Sequence, residues 1–269
     1  MLIGNREFDL EHGYYLMGIL NITPDSFSDG GKYNELDQAL FQAERLISDG
    51  ADILDIGGES TRPGYTVISS EEEIDRVCPV IAGIKERFDI PVSLDTYKAD
   101  TAKAGIAAGA DMINDIWGLK GDAGMADVIA KAGIPCCLMH NRTNSDYTSL
   151  MEDILGDLRE SIHIALEAGI SKTNIILDPG IGFAKDLTMN LSVMKHLNRF
   201  QEIGYPLLLG TSRKSMIGLA LDLPVTEREE GTLATSVMGR MAGCSIFRVH
   251  DVKANLRALA MAEAVLNAE

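Results

Sequence analysis

The sequence predicts an α/β protein, a single-domain (β/α)8 TIM barrel that spans residues 1–269. Short apolar runs alternate with longer stretches in which apolar residues recur every three or four positions. A glycine repeatedly separates such a stretch from the next apolar run. Because continuous apolar strands between amphipathic helices are typical of a parallel sheet covered on its outer side, a barrel fits a chain of this length.

The apolar runs are the predicted strands, at residues 14–20, 52–56, 91–94, 111–114, 135–139, 174–177, 206–209 and 245–249. The stretches 71–88, 151–168 and 189–203 are predicted surface helices. Left-handed C-cap glycines are expected at Gly50, Gly109, Gly133, Gly169, Gly204 and Gly243. An open doubly wound sheet is the alternative, but no G-x-G-x-x-G motif follows the first strand.

Composition excludes several classes of function. The formal net charge of −16 argues against nucleic acid or an acidic membrane surface as a partner. No segment approaches the roughly 18 apolar residues of a membrane helix, and the first residues lack the apolar core of a signal peptide. The four cysteines form no C-x-x-C pair, so we expect neither a zinc site nor disulfides. A cytoplasmic protein is the expectation.

Polar residues follow the predicted strands, and in barrel enzymes this end of the strands carries the chemistry. They are Asn21, Thr61, Arg62, Asp95, Asn114, Asp115, His140, Asp178, Lys214, Arg248 and His250. A lone aspartate at a strand end is more often a helix cap, but a whole set would converge on one rim. Cationic members in such an acidic chain predict an anionic ligand, a phosphate or diphosphate.

The acidic and amide members predict a second ligand. Asp95 and Asp178 can each accept two parallel N–H donors, and Asn114 offers a donor and an acceptor together. That set suits the edge of an uncharged aminopyrimidinone ring. Phe183, Met139 and Ile116 lie near the same strand ends and would sandwich a flat ring, although plain core packing is the alternative for all three.

Longer motifs extend this picture between residues 17 and 252. In order they are "MGILNITPDSFSDGG", "DIGGESTRPG", "SLDTYK", "INDIWG", "MH", "ILDPGIGF", "GTSRKS" and "RVHDV". Together they closely resemble the dihydropteroate synthase family. The resemblance implies a homodimeric TIM barrel that joins p-aminobenzoate to a pterin methyl diphosphate and releases diphosphate with Mg²⁺ present. The related pterin-binding domain of methyltransferases would be expected to lack the "TPDSFSDGG" and "ESTRPG" loops.

The resemblance also implies roles for individual residues. Mg²⁺ would be ligated by Asn21, and the diphosphate would be bound by Asn21, Thr61, Arg62, Arg248 and His250. The pterin would be bound by Asp95, Asn114, Ile116, Met139, Asp178, Phe183 and Lys214. The p-aminobenzoate pocket would be formed by Phe27, Thr61, Arg62, Pro63 and Ser215. The catalytic set would be Asp95, Lys214, Arg248 and His250.

An SN1-like path is expected, because diphosphate leaves readily once its charge is neutralised and the pterin can delocalise the resulting cation. Two other functions compete with this hypothesis. A silent pterin-binding paralogue would tolerate loss of Asn21, Arg62, Arg248 or His250, yet all four are present. A barrel enzyme acting on a phosphosugar would leave Asp95, Asn114 and Asp178 unexplained.

Overall fold

Eight parallel strands form the centre of the protein, in a computed structural model that describes residues 1–22, 32–59 and 67–268. They are β3 (Tyr15–Asn21), β4 (Ile53–Gly57), β5 (Val92–Asp95), β6 (Met112–Asp115), β7 (Cys136–Met139), β8 (Ile175–Asp178), β9 (Leu208–Leu209) and β10 (Ile246–Val249). Strand β10 pairs with β3, and a parallel bridge between Leu177 and Leu207 joins β8 to the residues before β9. The predicted barrel is confirmed.

Helices cover the outside of the barrel. They are α1 (Lys32–Ser48), α2 (Ser70–Arg87), α3 (Ala99–Ala108), α4 (Met125–Ala132), α5 (Leu150–Glu167), α6 (Leu187–Lys195), α7 (Ser215–Leu221), α8 (Glu229–Met241) and α9 (Val252–Leu266). Short 3-10 helices occur at Lys172–Asn174, Leu197–Ile203 and Val225–Glu227. Of the helices in the described ranges, none is long and apolar enough to cross a membrane.

The predicted elements agree closely with this architecture. Most strands begin and end one residue later than expected, and all six expected C-cap glycines have φ between +68° and +115°. The single helix predicted over 189–203 is wrong. It is divided at His196, which leaves the helical region at φ −113° and ψ 22° and whose Nδ1 lies 2.8 Å from the carbonyl oxygen of Ser192.

A short hairpin closes the N-terminal end of the barrel. Its strands β1 (Leu2–Ile3) and β2 (Arg6–Glu7) pair antiparallel. Ile3 and Phe8 pack with the inward-facing strand residues of the lower layer, which are Met17, Ile53, Met112, Cys137, Ile176, Leu208 and Ile246. The alternate positions, such as Leu54 and Ile56, pack outward under the helices. The lower layer is mostly apolar, with Ser93 of β5 as a buried polar exception, and charged inward residues lie towards the C-terminal ends of the strands.

We expect Phe8→Ala to lower the free energy of unfolding by about 3 kcal/mol, because truncating a buried phenylalanine leaves a cavity. Phe8 is 3% exposed, and its ring centre lies 4.7 Å from that of Tyr15. Urea denaturation followed by circular dichroism measures the loss. Leu2→Ala, in the same hairpin but 61% exposed, is the control and should change stability by less than about 0.5 kcal/mol. Equal losses would contradict the packing role of Phe8.

Candidate active site

One arginine connects three strands at the C-terminal end of the barrel. Arg248 of β10 donates from Nε to Asp55 Oδ2 of β4 at 2.5 Å, and from Nη2 to Asp95 Oδ2 of β5 at 2.6 Å. Asn114 of β6 donates to the same Asp55 oxygen at 3.3 Å. Asp55 is fully buried and Asp95 is 9% exposed. The guanidinium therefore lies between two carboxylates inside the barrel.

The two carboxylates keep the buried guanidinium of Arg248 charged. Burial alone would lower the pKa of Arg248, but Asp55 and Asp95 together raise it above its ordinary value, so the guanidinium stays charged. Burial raises the pKa of the Asp95 carboxyl, and the Arg248 charge opposes that rise. One oxygen of each carboxylate, Asp55 Oδ1 and Asp95 Oδ1, has no hydrogen-bond partner within the described residues. Those oxygens can accept further donors.

A second group of charges meets beside Gly210. A Cβ atom at Gly210 would lie 3.7 Å from Asp178 Oδ2, 3.8 Å from Lys214 Nζ and 3.9 Å from the Cβ of Arg248. The three side chains thus converge on one point of the barrel mouth. Burial lowers the pKa of Lys214 to about 8, with Asp178 opposing the change. Burial raises the pKa of Asp178, and Lys214 and the Gly180 N–H oppose that.

The turn after β8 surrounds these charges. Asp178 Oδ1 accepts the N–H of Gly180 at 2.7 Å, and Lys214 Nζ donates to the carbonyl of Ile181. Lys214 Nζ also lies 4.8 Å from the centre of the Phe183 ring, in cation–π contact. Phe183 therefore covers the lysine in this structure. Its predicted contact with a flat ligand stays a prediction.

Asn21 lies at the end of β3, next to Asp95. A Cβ atom at Gly57, which pairs with both strands, would lie 3.5 Å from Asn21 Oδ1 and 3.7 Å from Asp95 Oδ2. Close to this rim, Met139 ends β7 and Ile116 follows β6, and both are buried. Asn21, Ile116 and Met139 are thus near the charged residues, while their roles toward a ligand stay predictions.

His250 is oriented by a neighbour that the motifs did not identify. Ser212 Oγ lies 2.9 Å from His250 Nδ1 and accepts the backbone N–H of the same residue at 3.1 Å. This pair fixes the imidazole plane. Ser215 is exposed at the first residue of α7, immediately after Lys214. The segment 212–215 therefore brings Ser212 and Lys214 to the mouth, while the predicted role of Ser215 in the p-aminobenzoate pocket stays a prediction.

Two strand-end residues do not face the mouth as expected. Asp115 accepts the N–H groups of Trp117 at 2.8 Å and Leu119 at 2.7 Å, so it closes the turn after β6. His140 contacts Asp157 of α5 and Lys185. The expectation that they join the rim is wrong, because side chains alternate along a strand and the inward positions are Asn114 and Met139.

Four residues of the predicted site cannot be compared with the structure. Phe27 belongs to the segment 23–31, and Thr61, Arg62 and Pro63 belong to the segment 60–66. Both segments lie outside the described residues. The predicted contacts of these four side chains with diphosphate and p-aminobenzoate therefore stay predictions.

The polar side chains near Asn21 can bind a magnesium ion only together with a second ligand of that ion. Within the described ranges no group of three or more His, Cys, Asp or Glu side chains could hold a metal ion. Asn21 supplies one neutral oxygen. Because Mg²⁺ keeps several waters and binds through few protein oxygens plus substrate phosphates, these residues fit an ion that arrives with a diphosphate. They do not fit an ion held by the protein alone.

Asp55 was missed because it lies within an apolar strand rather than after it. The signal was nevertheless present in "DILDIGG", since Asp55 precedes the strand end by two residues and must face the same side as Gly57. Ser212 had no comparable signal. Its contact with His250 spans 38 positions of the chain and depends on the packing of two loops.

Comparison with known proteins identifies the family. The sequence profile of the family described as pterin-binding enzymes matches residues 17–250. Dihydropteroate synthase of Clostridium beijerinckii is 60% identical, over 99% of each chain. The crystal structure of dihydropteroate synthase from Clostridium difficile, in the presence of pteroic acid, has a TM-score of 0.95 and 49% identity, covering 97% of this chain and 100% of that one.

A third similar protein was solved with a smaller ligand. Dihydropteroate synthase of Xanthomonas albilineans, with 4-aminobenzoic acid, has a TM-score of 0.94 and 40% identity, covering 99% of this chain and 98% of that one. These likenesses extend over almost the entire chain. The chain belongs to the family of pterin-binding enzymes, among the dihydropteroate synthases.

Proposed function

We propose that this chain catalyses the dihydropteroate synthase reaction, joining p-aminobenzoate to 6-hydroxymethyl-7,8-dihydropterin diphosphate and releasing diphosphate. The observation that carries the proposal is the convergence of Asp178, Lys214 and Arg248 beside Gly210, in a chain 60% identical to a dihydropteroate synthase. Such a site offers carboxylates to a heterocycle and cations to a leaving anion. Both demands of the reaction are met at one end of the barrel.

The pterin would bind through the buried polar residues. The two oxygens of Asp178 can accept the paired N–H donors of the amino-pyrimidinone edge, because Oδ1 has a second acceptor site besides the one that the Gly180 N–H occupies. Asn114 offers its amide oxygen, since its nitrogen already donates to Asp55. Asp95 Oδ1 can accept a further ring N–H. Ile116, Met139 and Phe183 would bound the ring faces, with Lys214 orienting the ring edge.

The chemical step is the loss of diphosphate. The bond between the pterin methylene carbon and the diphosphate oxygen breaks, and its electron pair leaves with the diphosphate. The ring delocalises the cation, the amine nitrogen of p-aminobenzoate forms the new C–N bond, and the amine proton is released. Arg248 and His250 would stabilise charge that develops on the departing oxygens. The carboxylates of Asp95 and Asp178 would favour the cationic transition state over the neutral ground state.

Arg248 can bind the diphosphate while its side chain keeps its position inside the barrel. In this structure its Nη2 donates to Asp95 and its Nε to Asp55. A diphosphate would compete with Asp95 for the Nη groups, while Asp55 would keep Nε and hold the side chain in place. We therefore assign Asp55 the role of a positioning residue for Arg248 and Asn114.

The proposal also includes a magnesium ion, a p-aminobenzoate pocket and a homodimer. Bound with the diphosphate at Asn21, Mg²⁺ would supply charge neutralisation of the leaving group. Thr61 and Arg62 would add diphosphate contacts. The p-aminobenzoate pocket would be formed by Phe27, Thr61, Arg62, Pro63 and Ser215.

The protein would act as a cytoplasmic homodimer. Exposed apolar side chains on α7, α8 and α9 support a dimer contact there: Leu219, Leu221, Met238, Met241, Met261 and Val265.

A direct assay tests the function. The purified chain should form dihydropteroate from the pterin diphosphate, p-aminobenzoate and Mg²⁺, and diphosphate should appear in equal amount. A silent pterin-binding protein would bind the pterin diphosphate and form no product. No observation on the chain favours that alternative, because Asn21, Arg248 and His250 are all present.

Asp178→Asn is expected to weaken binding of 6-hydroxymethylpterin roughly 10- to 100-fold, since hydrogen bonds to charged groups contribute about 1.5–3 kcal/mol. Binding of inorganic diphosphate with Mg²⁺ should change far less. Isothermal titration calorimetry with each ligand separately gives both constants. Asp127→Asn, at an exposed position of α4, is the matched control. Equal losses for both ligands would contradict the assignment of Asp178 to the pterin.

Asp55→Asn is expected to lower kcat/KM for the pterin diphosphate roughly tenfold or more, because Arg248 loses a buried counter-charge while side-chain size is kept. Steady-state kinetics with both substrates measures the effect, and Asp127→Asn again serves as control. Thermal unfolding of the variant shows whether it is folded. A folded Asp55→Asn protein with unchanged kcat/KM would show that Asp55 has no positioning role.

A further inference from the structure

Lys185 makes three hydrogen bonds at the end of the turn that follows β8. Its Nζ lies 2.9 Å from the carbonyl oxygen of Gly180, 3.0 Å from that of Phe183 and 2.9 Å from Nδ1 of His140. A lysine ammonium has three N–H donors and no acceptor. Each donor is therefore matched to one acceptor, two of them on the turn itself.

The turn that Lys185 holds contains residues of the proposed pterin site. Asp178 begins it, Gly180 donates its N–H to that carboxylate, and Phe183 covers Lys214. Gly180 has φ +69°, and a Cβ atom there would lie only 1.9 Å from the carbonyl oxygen of His140. The turn is thus packed against the end of β7 from one side and bound by Lys185 from the other.

The Lys185 ammonium is held by the buried His140, which contacts the partly exposed Asp157 and, through it, Arg142. Because His140 Nδ1 accepts from Lys185, the neutral imidazole carries its proton on Nε2, which lies 3.0 Å from Asp157 Oδ2. Arg142 donates from Nε to the same carboxylate oxygen at 2.5 Å. Burial lowers the pKa of His140, and the charge of Lys185 lowers it further, so the ring is neutral near pH 7. His140 can then act as an acceptor toward the lysine.

We infer that Lys185 is a positioning residue for pterin binding, whose ammonium holds the 178–183 turn in the conformation that presents Asp178, with His140 and Asp157 holding the ammonium. This inference rests on the proposed function. Lys185 does not itself contact the ligand. It acts through the carbonyls of Gly180 and Phe183, and its loss would free the turn that carries the carboxylate.

Protonation of Lys185 then affects pterin affinity. The pKa of Lys185 is lowered to about 7, chiefly by burial; Asp178 and Asp157 oppose this change, and the cations Lys214 and Arg142 add to it. The neutral imidazole of His140 faces it as the remaining titratable group. Below that pKa three donors serve three acceptors. Above it a neutral amine has two N–H groups, so one acceptor is lost and pterin affinity falls as the pH rises.

Three variants test the inference: Lys185→Met, Lys185→Arg and, as a control, Lys103→Met at an exposed position of α3. The dissociation constant of the pterin diphosphate is measured by calorimetry from pH 6 to pH 8.5, together with the KM of p-aminobenzoate. At pH 6, Lys185→Met should raise the dissociation constant roughly tenfold, the equivalent of one lost hydrogen bond. The KM of p-aminobenzoate should change little, and Lys103→Met should match the unaltered chain.

The pH dependence of pterin affinity distinguishes a positioning role of Lys185 from a contribution to protein stability alone. Lys214, whose pKa is lowered to about 8, titrates in every variant, so its effect cancels when two proteins are compared. The unaltered chain should lose affinity more steeply than Lys185→Met as the pH rises through about 7, because the change due to Lys185 is absent from the variant. Arginine cannot lose its charge in this range, so Lys185→Arg should also lack the change and bind more tightly than Lys185→Met. If the methionine variant is insoluble, the arginine variant alone tests the profile.

Three results overturn the inference, and only the last of them also overturns the proposed function. If the unaltered chain forms dihydropteroate but the lysine variants keep its affinity and its pH profile, Lys185 has no positioning role and the proposed function stands. A variant with lower thermal stability but the same pH profile leads to the same conclusion. If the unaltered chain neither binds the pterin diphosphate nor forms product, the proposed function fails and the inference with it.

Discussion

A buried guanidinium requires buried counter-charges, and this requirement organises the barrel mouth. Arg248 lies between Asp55 and Asp95, which come from strands on the far side of the seam where β10 pairs with β3. Removing Arg248 would leave two carboxylates inside the protein without a counter-charge. Asp178 and Lys214 form a second balanced pair beside it. The site can thus carry strong local charges of both signs within a chain of net charge −16.

The alternation of side chains along each strand places these charged residues on one surface that can bind a ligand. Alternate residues of each strand face the barrel interior, so mostly apolar residues fill the lower layer while polar residues such as Asp95 and Asp178 end their strands on the inward side. Asn114 and Asp178 therefore stand on rigid elements: Asn114 donates to Asp55, and Asp178 accepts from Gly180. Lys185 in turn donates to the carbonyl of Gly180. Support of this kind keeps binding groups in position before a ligand arrives.

Much of the site could be predicted from the sequence because its polar residues stand at or shortly after the ends of apolar runs. Asp95, Asn114, Asp178, Lys214 and Arg248 were all expected at the mouth, and the structure brings them together. Asp115 and His140 follow strands in the same way, yet they face outward and close local structure. Asp55, Ser212 and Lys185 were not identified, because each acts on a site residue and none interrupts the hydrophobic pattern at a strand end.

The sequence by itself determined the order of strands and helices, since burial on both faces demands continuous apolar runs and helices demand a periodic apolar face. It also determined the C-cap glycines, whose conformations are local. Only the tertiary structure decided the partners of each charge. Arg248 and Asp55 are 193 positions apart, and Lys185 and His140 are 45 apart. Such pairs form only when the barrel has closed and each strand has turned one face inward. Local sequence preferences determine neither the closure nor the orientation.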